Sequence, residues 1–97
     1  MLDENFEWDD QKSETNKHKH GIDFSEARSL WKAGVDEFPS PQRGQMSYVA
    51  FGKLRNKLTL MVVTYRGARR RIISARHATA DERLAYENAK RRAKGKT

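Results

Sequence analysis

The sequence predicts an α+β domain: a small antiparallel sheet, formed by a short edge strand and a three-stranded meander, with two helices before the meander and one after it. Three observations carry this expectation. Ser47–Gly52 and Leu58–Tyr65 are rich in β-branched and aromatic residues and flank the turn-like segment KLRNK. Asp23 and Thr79 are each followed three residues later by Glu, the spacing of a capping box at a helix start. Arg69–Arg76 places a third apolar-centred run directly before the second of those starts.

At 97 residues the chain has the length of one domain. A folded core over 6–89, a loose start over 1–5 and a basic tail over 90–97 are expected. Hydrophobic residues make up 36% and charged residues 34%, so the core must be small. There are 20 Lys and Arg against 13 Asp and Glu, a formal charge of +7. That excess points to a polyanionic partner: nucleic acid, an acidic membrane surface or an acidic protein. The absence of cysteine excludes disulfides and thiolate zinc sites and fits a reducing cytoplasm. No run of 18 apolar residues could span a membrane, and the acidic start MLDENFEWDD has no apolar segment of a secretory signal.

In chain order, Phe6-Glu7-Trp8 alternates apolar and polar, which suits a short edge strand anchored by two aromatics. Asp9–His20 holds no apolar residue, yet Asp9 or Asp10 can cap a helix and Gly21 can close it. Such a helix has no apolar stripe and is expected to be tied at its ends or to face a ligand. Lys12, Asn16 and His20 share one row, with Lys19 beside it. Ile22–Gly34 is amphipathic: Phe24, Ala27, Leu30 and Trp31 form one stripe. Val35–Met46, with Pro39, Pro41 and Gly44, is expected to be a loop from which Arg43 could reach a ligand. Both faces of Leu58–Tyr65 are largely apolar, the pattern of a central strand covered on both sides. In the third strand, regular alternation separates Arg70, Ile72, Ser74 and Arg76 from Arg69, Arg71, Ile73 and Ala75. Arg71 and Arg76 could then meet one phosphate only across a bulge. Thr79 and Glu82 cap the last helix, whose apolar face, Leu84, Ala85, Tyr86 and Ala89, is thin.

These residues permit phosphate chemistry. Arginine forks match phosphate oxygens, and Arg70, Arg71 and Arg76 lie close together in sequence. Cleaving RNA through its 2′-OH also needs a base and an acid, and histidine titrates near neutral pH. His20 and His77 are the candidates, with Lys19 and Tyr86 as further proton donors. Lys12, Asn16, Arg43, Arg70 and Arg83 are candidate RNA contacts. A histidine beside a helix end can equally be a cap or a surface residue. A metal site is not expected: His18 and His20 are two apart on a helix and do not face each other, and no acidic partner stands at ligand spacing. No cofactor motif is present.

Two blocks, FEWDDQKSETNKHKHGIDFSEA and IISARHATADERLAYE, separated by the meander, resemble the BrnT family of toxins from type II toxin–antitoxin modules. The matching positions are Phe6, Trp8, Asp9, Lys12, Asn16, Lys19-His20-Gly21, Phe24, Ala27, Gly52, Ile72–Arg76, Ala78, Glu82-Arg83 and Tyr86. The resemblance implies a RelE-like fold and an endoribonuclease that arrests translation. It also implies a BrnA-like ribbon-helix-helix antitoxin as partner, in a heterotetramer that binds operator DNA. Family function maps onto Lys19, His20, Arg71, Arg76, Glu82 and Tyr86. The family's acidic residue and arginine before the first meander strand are missing; Gly44-Gln45-Met46-Ser47 stands there, with Arg43 slightly early. A basic domain that binds nucleic acid without cutting it is the alternative, as is a basic face that serves only to meet an acidic partner.

Overall fold

A computed structural model of the chain describes residues 2–40 and 46–94. Eight elements follow in order: β1 Phe6–Glu7, α1 Asp10–His20, α2 Phe24–Ala33, β2 Asp36–Pro39, β3 Ser47–Leu54, β4 Lys57–Arg66, β5 Arg69–His77 and α3 Ala80–Lys94. The five strands form one sheet in the order β1-β5-β4-β3-β2. The class is α+β, as expected, with two corrections. The sheet is mixed rather than purely antiparallel, because β1 runs parallel to β5, with Phe6 opposite Arg70. Part of the expected loop is a strand: Asp36–Pro39 pairs antiparallel with β3. Prolines had suggested loop, but an edge strand tolerates a proline at its end, where no ladder donor is needed. Arg43 falls outside the described residues.

The meander turns where the sequence indicated. Arg55 and Asn56 both have positive φ, the conformation of a two-residue hairpin turn. β4 is central, and Leu58 through Met61 and Val63 are buried. On one face Ala50, Met61, Val63, Ile72 and Ala75 pack against Phe24, Ala27 and Leu30 of α2, with Phe6, Trp8 and Ile22 completing the core. Gly52 admits α2 closely: a Cβ there would lie 3.2 Å from Val35 and 3.4 Å from Leu30.

β5 carries a bulge. Val62 lies opposite Ser74 and Val63 opposite Ile72, so Ile73 has no partner across the pair. The extra residue resets the alternation. Ile72 and Ala75, three apart, are both in the core, while Ile73 is 40% exposed. Regular alternation would have separated Arg71 from Arg76; with the bulge they fall on the same face, the one opposite α1 and α2.

α1 is held by polar groups in its middle rather than only by its ends. Asp9 caps it and Gly21, at φ 75°, closes it. Ser13 and Asn16 are buried. Ser13 Oγ accepts from the Phe24 amide at 2.8 Å. Asn16 Nδ2 donates at 2.7 Å to the carbonyls of Ile22 and Ala75, and its Oδ1 accepts from the Ala75 amide. Before β1, Asp3 accepts from the amides of Asn5 and Phe6 and from Arg28 Nε.

α3 lies on the open face and is attached mainly by polar contacts. Thr79 and Glu82 exchange the two hydrogen bonds of a capping box. Arg76 grips Glu82 with both guanidinium nitrogens, each at 2.7 Å. Tyr86 stacks on Phe51 at 5.0 Å and donates to Asp36, which also meets Lys90. Leu84 remains 55% exposed. The Arg76 fork and the Thr79 amide hold the Glu82 carboxyl down at about 2, against 4.5 when unfolded. The folded pKa is depressed, so this stabilisation is complete above 4.5 and is lost as pH falls toward 2. The pair is partly exposed, with side chains 37% and 30% accessible, so solvent screening limits its worth to about 1 kcal/mol. Glu82→Gln should therefore melt lower than wild type at neutral pH, and the two curves should converge near pH 2. A constant gap across that range would contradict this coupling.

Candidate active site

One cleft gathers candidate residues from three elements. It has a volume of about 470 Å³ and lies between the β3–β4 hairpin tip, the end of β5 and the start of α3. Its lining includes Lys53, Lys57, His77, Arg83, Tyr86 and Glu87. The hairpin turn and the strand register bring these residues together: Lys53 lies opposite Leu58, and Thr59 lies opposite His77. The Ala78 amide donates to the Leu58 carbonyl at 2.8 Å, closing the strand pair just before α3 begins.

His77 is half-buried, and its Nδ1 lies 3.0 Å from Thr59 Oγ1. Burial pushes its pKa below the ordinary value of 6.5, and the charges of Lys57 and Arg55 push it further the same way. The imidazole is therefore neutral at pH 7 and can accept a proton. Tyr86 behaves in the opposite sense. Burial and its hydrogen bond to Asp36 raise the phenol's pKa, so it keeps its proton. Lys53, Lys57 and Arg83 supply three positive charges around the cleft against the single carboxylate of Glu87. An anionic group entering here meets cations, a neutral imidazole and a protonated phenol.

The other sequence candidates among the described residues are placed elsewhere. Arg76 is engaged by Glu82. Arg71 pairs with Glu7 at 2.8 Å. Arg70 lies among the rings of Phe6, Trp31 and Tyr65, 5.3–5.9 Å from their centroids, and 3.6 Å from Glu37. It is enclosed by aromatics rather than offered to a ligand. Asn16 is the buried bracket of α1. Lys12, Lys19 and His20 are exposed on α1, and none of them lines the cleft. Of the sequence candidates, the cleft therefore brings together His77, Arg83 and Tyr86.

Lys53 and Lys57 did not stand out in the sequence, where KLRNK reads as the turn of a hairpin. The signal was available in the turn length. A two-residue turn at Arg55-Asn56 leaves both lysines on the strands, while Thr59 is aligned with His77 by the separate register of β4 on β5. Among the described residues, no group of three His, Cys, Asp or Glu side chains is placed to hold a metal ion. No helix there is long and apolar enough to cross a membrane.

The fold and the cleft define a small, basic α+β protein with a cationic pocket suited to a phosphodiester. Comparison with known families is more specific. Residues 8–82 match the model of the ribonuclease toxin, BrnT, of type II toxin–antitoxin systems, and the chain belongs to that family. The match takes in most of both sequence blocks and strands β2 to β5, begins just after β1, and ends at the Glu82 that pins α3. Family membership brings an RNA substrate and an antitoxin protein as partners. No match is found among curated proteins.

Proposed function

We propose that the chain is a metal-independent endoribonuclease that cleaves RNA in the His77 cleft. The observation that carries this reading is a neutral imidazole held among three cations, next to a tyrosine that retains its proton. His77 takes the proton of a 2′-OH, and that oxygen attacks the adjacent phosphorus. Lys53, Lys57 and Arg83 stabilise the extra negative charge of the transition state. The bond to the 5′-oxygen breaks, and Tyr86 protonates the leaving oxygen once its hydroxyl turns from Asp36 toward it. The products are a 2′,3′-cyclic phosphate and a 5′-OH. RNA cleavage of this kind would arrest translation, and a BrnA-like ribbon-helix-helix antitoxin would neutralise it, in a heterotetramer bound to operator DNA. The excess of positive charge suits both partners, an RNA and an acidic protein segment.

The test is incubation of the purified protein with total RNA in excess EDTA, followed by end-group analysis of the fragments. Cleavage with cyclic phosphate ends is expected. Lys57→Ala and Arg83→Ala should each slow it by about 10²-fold, the usual loss for one charge-stabilising donor. Binding without cleavage would favour the alternative, a basic domain that only holds nucleic acid. Cleavage abolished by EDTA would overturn metal independence.

A further inference from the structure

We infer that Thr59 is a positioning residue that fixes His77 in the tautomer with its proton on Nδ1 and its lone pair on Nε2. This rests on the assignment of His77 as the base and extends it to the residue behind the ring.

Thr59 is fully buried in the central strand, directly opposite His77. Its hydroxyl has two neighbours. Oγ1 lies 3.1 Å from the Lys57 carbonyl oxygen and 3.0 Å from His77 Nδ1. A hydroxyl has one proton, and a carbonyl oxygen can only accept. When Thr59 donates to the Lys57 carbonyl, its oxygen is left to accept, and the imidazole must then carry its proton on Nδ1. All three groups are satisfied in that arrangement. In the other tautomer Thr59 would have to donate to Nδ1, and the Lys57 carbonyl would lose its side-chain donor.

The choice matters chemically. With Nδ1 protonated, Nε2 on the far side of the ring has a free lone pair and can act as a base. With Nε2 protonated, the lone pair would point at Thr59, and the ring could only donate toward a substrate. A buried hydroxyl thus selects between base and acid in the neutral imidazole. The charged and titratable groups around the ring are Lys57 and Arg55 from the hairpin, Lys53 from β3, and Arg83, Tyr86 and Glu87 from α3. The cations among them disfavour the imidazolium, and the hydroxyl of Thr59, at hydrogen-bond distance from Nδ1, sets which nitrogen of the neutral ring carries the proton.

The experiment is long-range ¹H–¹⁵N correlation spectroscopy of uniformly labelled full-length protein, above the pKa of His77. The His77 signals are identified by their loss in His77→Asn. Wild type is expected to show the Nδ1–H tautomer. Thr59→Val, nearly isosteric but without the hydroxyl, should shift the ring toward Nε2–H and lower the cleavage rate about tenfold or more, as loss of an orienting partner does. Thr59→Ser should restore both. A wild-type ring found as Nε2–H overturns the proposal, whether or not the valine variant folds. So does a folded Thr59→Val with wild-type tautomer and rate. His77→Ala cleaving at the wild-type rate would overturn the base assignment and the role of Thr59 with it. The valine result alone would leave the base assignment standing, whereas the Nε2–H result would remove it as well, because such a ring can only donate toward a substrate.

Discussion

Replacing His77 with alanine is expected to lower the rate of RNA cleavage by about 10²–10⁴-fold, the range typical of a general base, with little change in melting temperature. The ring is half-buried at a strand end, outside the core cluster, so its loss opens no internal cavity. Its pKa lies below 6.5, pushed down by burial and by Lys57 and Arg55. The base is active once deprotonated, so the rate of the wild-type enzyme should rise with pH through a midpoint under 6.5 and be level at neutrality. Removing the Lys57 charge should move that midpoint upward. Full activity in His77→Ala would remove His77 from the mechanism, and a rate that falls as pH rises from 5 to 7 would remove it as the base.

The second large effect is on folding. Asn16→Ala should destabilise the protein by about 3 kcal/mol, because the amide and carbonyl of Ala75 and the carbonyl of Ile22 all lose a buried partner. For a domain of this size that corresponds to a fall of roughly 10–20 °C in melting temperature. Ser13→Ala, which removes a single acceptor for the Phe24 amide, should cost about 1 kcal/mol. An Asn16→Ala variant melting within about 2 °C of wild type would show that α1 is held by something else.

The fold was largely legible where local chemistry decides structure. Capping boxes at Asp23 and Thr79, the αL cap at Gly21 and the hairpin around Asn56 all follow from residues within a few positions of each other. What could not be read depends on distant pairing. β2 is a strand because β3 lies beside it, and its sequence DEFP has no alternation of its own. The parallel direction of β1 follows from where α1 and α2 carry the chain. The bulge at Ile73 arises from register between two strands whose separate patterns are regular. The candidate site divides along the same line. His77, Arg83 and Tyr86 were visible as residue types near a helix start. Lys53, Lys57 and Thr59 reach them only through the register of β3, β4 and β5. The arginines that dominate the sequence are the ones most fully committed to partners: Arg70 to rings and Glu37, Arg71 to Glu7, Arg76 to Glu82.

The way α1 is fastened bears on how the protein can change. The helix has 11 residues, of which Ser13 and Asn16 are buried and the other nine are exposed. Directional bonds from those two positions fix both its height and its rotation, a constraint that an apolar stripe, free to slide by a turn, would impose less strictly. The remaining surface is therefore open to substitution. Charges along it can be added, removed or inverted without repacking the interior. A saturation library over 10–20 should tolerate nearly every exchange except at 13 and 16, giving a rewritable outer panel on an otherwise tightly specified domain.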